Sequence, residues 1–188
     1  MKIGLFYATT TGVTAAIAQQ IAEALRREAK TRGQATFSIE VLDIADYFVE
    51  SLEEFDALIL GVPTWNVGQL PRGWEQVLDE FDDLVLAGRP VALFGVGDQR
   101  GYPDTFADAL LFLADKLRAA GATLVGQWPL ANYTFSRSWA VEDGRFLGLV
   151  IDEINQPELT AERIAAWVAE LVTAFSTPSP SGPVGDVN

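Results

Sequence analysis

The chain of 188 residues has no cysteine and no histidine. Without cysteine there are no disulfides, thiolate metal ligands or thiol nucleophiles, and without histidine there is no imidazole ligand or imidazole acid–base group. Ordinary hydrolytic mechanisms therefore lose their usual participants. Basic residues are also few, 13 against 26 acidic ones, for a formal charge of −13. That excess argues against binding nucleic acid or anionic membrane. It serves solubility alone, or it steers encounter with a basic partner. No apolar run is long enough to cross a bilayer, and the first residues enter a strand pattern without a signal-peptide arrangement. No membrane insertion and a cytoplasmic location are therefore expected.

What is present is a globular pattern. Hydrophobic residues make up 49% of the chain, enough at this length for one domain with a sizeable core. Ile3 to Tyr7, Ala57 to Val62 and Val91 to Val96 are continuous apolar runs, whereas Phe37-Ser38-Ile39-Glu40-Val41 alternates. Helical spacing recurs between them. Ile17, Ala18, Ile21, Ala22, Leu25 and Ala29 mark a first helix ending at Gly33, and others are expected around Ile44 to Phe48, Trp74 to Phe81 and Thr105 to Ala120. Continuous strands alternating with helices predict a parallel sheet covered on both faces, with the alternating strand at an edge. Right-handed crossovers then favour the order 2-1-3-4-5.

A fifth strand starts at Ala122-Thr123-Leu124-Val125, halts, and resumes from Phe146 to Ile151. Residues Gln127 to Arg145 thus read as an excursion that splits it. A last helix, opened by Thr160 as its cap, buries Ile164, Trp167, Val168, Leu171 and Phe175. One domain over residues 1–175 and a disordered Pro- and Ser-rich tail over 176–188 are expected.

Three loops leave the carboxyl edge of such a sheet near its switch point, where ligands bind. The first, Ala8-Thr9-Thr10-Thr11-Gly12-Val13-Thr14, joins strand one to the first helix. Unpaired amides and the helix dipole there favour an anion. The loop lacks the lysine of a Walker sequence and the glycines of a dinucleotide fingerprint, so it suits a monophosphate held by neutral donors. Alternatively, its threonines only cap the helix. The second loop is Pro63-Thr64-Trp65-Asn66-Val67-Gly68, and the third is Gly97-Asp98-Gln99-Arg100-Gly101-Tyr102. Trp65 and Tyr102 either anchor their loops or sandwich a flat ligand. A planar head with one phosphate describes flavin mononucleotide (FMN).

These three motifs resemble those of the long-chain flavodoxins. Gly144-Arg145-Phe146-Leu147-Gly148-Leu149, with Asp152-Glu153 and Asn155-Gln156 after it, adds to the likeness, which covers residues 2 to about 175. The resemblance implies a flavodoxin-like three-layer α/β sandwich whose five-stranded parallel sheet has strand five split by an insertion. It implies FMN as cofactor, with Thr9, Thr10, Thr11, Gly12, Val13 and Thr14 at the phosphate and Trp65 and Tyr102 flanking the isoalloxazine. Thr64 belongs to the same site. The backbone of Asn66, Val67 and Gly68 would meet the flavin N5 edge, where a peptide flip at Asn66-Val67 offers a carbonyl to N5-H. Val96, Gly97 and Asp98 would contact the pyrimidine side. Three positions depart from the family pattern. Val13 replaces a frequent lysine, Thr105 a common asparagine, and Ile154 the second aspartate of an Asp-Glu-Asp-Asn run.

The implied function is that of a monomeric, low-potential one-electron carrier cycling FMN between semiquinone and hydroquinone. Its implied partners are ferredoxin-NADP reductase, photosystem I or another low-potential oxidoreductase. Asp98, Asp104, Glu75 and Asp79 are candidate steering carboxylates. One carboxylate ~12 Å from the flavin at an effective dielectric of ~20 opposes the added electron by roughly 1.4 kcal/mol. For a one-electron couple that is about 59 mV. The rival reading, an FMN-dependent quinone reductase of the same fold, needs a substrate pocket over the flavin. A phosphoacceptor signalling domain needs acidic residues after strands one and three, where this chain has Tyr7-Ala8-Thr9 and Val62-Pro63-Thr64.

Overall fold

The computed structural model describes residues 1–33, 37–64 and 68–177. Its main sheet is built on β1 (Lys2–Tyr7), β3 (Ala57–Pro63) and β4 (Pro90–Val96), with β2 (Ser38–Asp43) at one edge. All pairings in this sheet are parallel, in the order β2-β1-β3-β4-β5. β3 is buried at six consecutive positions, as a strand covered on both faces must be. β2 alternates at its start and pairs only with β1.

The far edge is divided in two. β5 (Thr123–Val125) pairs with Pro90 to Ala92, and β9 (Leu149–Ile151) pairs with Phe94 to Val96. Leu93 lies between the two registers, and Gly148 passes against its carbonyl, where an added Cβ would stand 2.0 Å from the oxygen. No side chain fits there. The intervening chain forms β6 (Trp128–Pro129), β7 (Val141–Glu142) and β8 (Arg145–Phe146), a small antiparallel sheet of order β6-β8-β7. The fifth strand therefore resumes at Leu149, later than its apolar pattern suggests, because Phe146 is spent on β8 and on an aromatic cluster. In that cluster Phe106, Tyr133, Phe135 and Phe146 have ring centroids 5.2 to 5.9 Å apart.

α1 (Val13–Thr31) and α4 (Thr160–Ser176) pack together on one face of the sheet, while α3 (Ala109–Ala119) and the 3-10 turn Leu78–Asp83 pack together on the other. α1 buries Ile17, Ala18, Ile21, Ala22, Leu25 and Ala29, the stripe that its spacing predicts. Four helical expectations are corrected. Ile44–Asp46 and Val49–Glu54 are 3-10 turns, the first capped by Asp43 accepting from the Ala45 N–H at 3.1 Å. The helix expected over Trp74 to Phe81 divides into α2 (Arg72–Val77) and the 3-10 turn. Asp79, Glu80, Asp82 and Asp83 fall where the negative end of a continued helix dipole would repel them.

The helix expected from Thr105 starts only at Ala109, because Ala107 has a left-handed φ of 61°. Thr160 does not cap α4. It is the first helical residue, follows the 3-10 turn Pro157–Leu159, and donates its hydroxyl to Glu153 Oε1. Pro157 begins the turn earlier by fixing its own φ. α4 runs through Ser176, one residue into the expected tail, and residues 178–188 lie outside the described ones.

The divided edge depends on Gly148. Gly148→Ala should force Leu93 aside and destabilise the domain by about 2–3 kcal/mol, read as a lower urea midpoint with an unchanged slope.

Candidate cofactor-binding site

The parallel register sets the carboxyl ends of β1, β3, β4 and β9 side by side: Tyr7 opposite Gly61, Pro63 opposite Val96, Val96 opposite Ile151. The loops that follow enclose an open cleft of about 230 Å³. Thr11, Val13 and Thr14 line it from the first loop, and Pro63 and Thr64 from the second. Val96, Gly97, Asp98 and Tyr102 line it from the third. Glu153 and Ile154, after β9, complete the wall. Three loops foreseen in the sequence thus converge, while Trp65, Asn66 and Val67 lie outside the described residues. Glu153 was legible only as part of a motif. The signal that could have found it is that the resumed fifth strand ends at the same sheet edge.

The first loop is an open cradle of N–H groups. Gly12 caps α1 with a left-handed φ of 86°, and its carbonyl accepts the first helical bond from Ala16 N at 3.0 Å. The Gly12 N–H itself donates to Thr9 Oγ1 at 3.0 Å. One threonine therefore does serve its own helix start. The amides of Thr10, Thr11, Val13, Thr14 and Ala15 find no acceptor among the described residues. A 19-residue helix directs the positive end of its dipole at the same point, which suits a phosphate. Thr9, Thr10 and Gly12 shape the turn without lining the cleft, and Thr14 is buried beneath it. No basic side chain lines the cleft among the described residues. Val13 is 37% exposed and Ile154 71% exposed, so both walls at these positions are apolar.

The third loop is braced by carboxylates. Asp98 Oδ1 accepts from the N–H of Arg100 at 3.1 Å, the N–H of Gly101 at 2.8 Å and Asn155 Nδ2 at 2.8 Å. Desolvation works to raise its pKa, but the bonds from Gly101, Asn155 and Arg100 together with the Arg100 charge outweigh it, and the carboxyl sits below its ordinary value. Behind it Asp152 is fully buried and accepts from Gln99 N, Gln99 Nε2, Ile154 N and Asn155 N at 2.8 to 3.1 Å. Gln99 Oε1 in turn accepts from Thr134 N. The third loop, the segment after β9 and the excursion are one network. Tyr102 remains 44% exposed at the cleft, which leaves a ring face available for stacking.

A lowered folded pKa means that Asp98 contributes stability above the unfolded carboxylate pKa and loses it as pH falls through the lower folded value. Asp98→Asn should flatten the acid limb of the apoprotein stability curve below about pH 4, followed by urea titration at stepped pH.

Comparison with known proteins agrees with this geometry. The family model described as Flavodoxin matches residues 5–167. The flavodoxin of Picosynechococcus sp. is 49% identical over 178 residues, covering 93% of this chain and 98% of that one. Flavodoxin 2 of Escherichia coli is 40% identical, covering 94% and 98%. The crystal structure of Fusobacterium nucleatum flavodoxin bound to FMN superposes with a TM-score of 0.84 at 30% identity, covering 93% and 99%. A lysine-to-glycine variant of that protein, also bound to FMN, gives 0.85 at 31% identity, covering 93% and 97%. The sheet order, the divided edge strand and the relatives agree: the chain belongs to the flavodoxin family.

Proposed function

We propose that the chain binds FMN in this cleft and works as a low-potential one-electron carrier between redox proteins. The observation that carries the reading is the set of N–H groups on Thr10, Thr11, Val13, Thr14 and Ala15, without acceptors among the described residues, beside the cleft wall that bears the exposed Tyr102. Thr9, Thr10, Thr11, Gly12, Val13 and Thr14 hold the phosphate through neutral donors. Trp65 and Tyr102 flank the isoalloxazine, and Thr64, Asn66, Val67 and Gly68 run along its N5 edge. Val96, Gly97 and Asp98 meet the pyrimidine. FMN supplies the one-electron chemistry, while the protein orients the ring, excludes water and sets the local charge. The flavin-binding unit is residues 1–175, with the tail outside it.

Fusobacterium nucleatum flavodoxin is bound to FMN in a lysine-to-glycine variant, so a flavodoxin site need not lose FMN when a lysine is removed. The relatives are flavodoxins, electron-transfer proteins rather than enzymes, which sets the quinone-reductase reading aside. Partners are redox proteins. At the finer level they are ferredoxin-NADP reductase, photosystem I or another low-potential oxidoreductase, met as a monomer in the cytoplasm. No helix among the described residues is long and apolar enough to cross a membrane. Asp98 at the cleft and the exposed Glu75, Asp79 and Asp104 fit transient docking of a basic face.

Adding FMN to the apoprotein should quench flavin fluorescence with a Kd below about 1 μM. Because the chain carries −13 and the phosphate is anionic, screening should tighten binding several-fold as salt rises. Val13→Lys should weaken that salt dependence. Unquenched fluorescence at all salt concentrations would overturn the cofactor assignment.

Electron transfer from a basic reductase should show the opposite trend. Its stopped-flow rate should fall as ionic strength rises, and a rate indifferent to salt would remove the steering role.

A further inference from the structure

The segment from Thr105 to Ala109 lies where two of the flavin loops and the excursion meet. Toward the third loop, a Cβ added at Gly97 would stand 3.1 Å from Phe106 Cε2 and 3.6 Å from Ala107 N. Toward the second loop, the Ala109 N–H donates to Thr64 Oγ1 at 3.3 Å. Gly68, with φ of 78°, sits so close to the corner that an added Cβ would meet Asp108 Oδ2 at 3.2 Å and Thr105 Cβ at 3.6 Å. Toward the excursion, Asp108 Oδ1 accepts the Trp139 N–H at 2.6 Å.

Two features of this corner have no local explanation. Ala107 is fully buried and left-handed, a conformation that costs an alanine about 1–2 kcal/mol. Asp108 occupies the N-cap of α3 without capping it, making no side-chain bond to its own helix. An aspartate there normally accepts an amide of its own first turn. This one is 1% exposed and has turned to a different segment. Burial raises its pKa, opposed by the Trp139 N–H, the charge of Arg137 and the Ser138 hydroxyl. It forms no ion pair among the described residues.

We infer that Asp108 is a positioning residue for the bound flavin, seating the Gly68 end of the second loop against the excursion and so fixing that loop relative to Gly97. The inference rests on the FMN reading above for its redox consequence, and on the contacts of this corner alone for its mechanical one. The left-handed turn at Ala107 allows one short corner to touch both loops. A carboxylate bonded to Trp139 gives the corner a fixed back wall.

Asp108→Ala and Asp108→Asn separate position from charge. Both remove the negative charge, but only asparagine keeps an oxygen for the Trp139 N–H and the volume behind Gly68. In the apoprotein, Asp108→Ala should speed amide hydrogen exchange at Thr64 and across residues 68–70 at least tenfold, with Asp108→Asn within threefold of the parent. In the FMN-loaded protein, Asp108→Ala should change the ratio of the two one-electron equilibrium constants at least tenfold, about 59 mV of separation. Asp108→Asn should stay within threefold. Equal effects of the two variants in either experiment would assign the role to charge and overturn the inference, as would an Asp108→Ala protein indistinguishable from the parent. If the parent fails to take up FMN, the functional reading falls, and the apoprotein exchange still decides the mechanical part.

Discussion

The outer edge of β4 is shared. A seven-residue strand hydrogen-bonds to β5 over its first half and to β9 over its second, and the chain between those halves leaves the sheet and returns. Everything distinctive in the site follows from that division. Because β9 rather than β5 borders the carboxyl half of β4, the loop after β9 reaches the cleft and brings Asp152, Glu153, Ile154 and Asn155 to it. Because the excursion must return to Gly148, it lies over the domain on Phe106, and its backbone can brace the third loop through Thr134 and the α3 corner through Trp139.

The electrostatics of the cleft are one-sided. N–H groups of the first loop stand without acceptors among the described residues, apolar Val13 and Ile154 line the cleft, and the charged side chains among its described lining residues are carboxylates, Asp98 and Glu153. Asp152 and Asp108 are buried among hydrogen-bond donors with no cation paired to either among the described residues. Under the proposed FMN reading, added electrons would enter a cleft lined by carboxylates, and buried charges are less shielded by salt than exposed ones. The same carboxylates would oppose both the added electron and the anionic phosphate of FMN. The aligned amides of α1 offset that repulsion locally.

Much of this was legible beforehand. Continuous apolar runs at β1, β3 and β4 have one physical solution, a sheet buried on both faces, and an alternating run at β2 belongs at its edge. The threonine loop was recognisable because a strand, a glycine and an amphipathic helix follow one another closely. Helix limits were less legible. Ala107 reads as an ordinary helix former, yet it is left-handed in the corner that packs against Gly97 and Gly68. Thr160 reads as a cap, yet the chain started turning at Pro157.

The amino-acid sequence by itself determined the layer architecture, the strand order and the position of the threonine loop, because these depend on local periodicity and on which residue types can sit at a helix start. Tertiary structure decided what lies behind the loops. Asn155 Nδ2 reaches Asp98 across 57 residues of chain, and Asp108 leaves its own helix for Trp139, 31 residues away. No periodicity encodes them, since a buried carboxylate takes whichever donor the folded chain brings within reach.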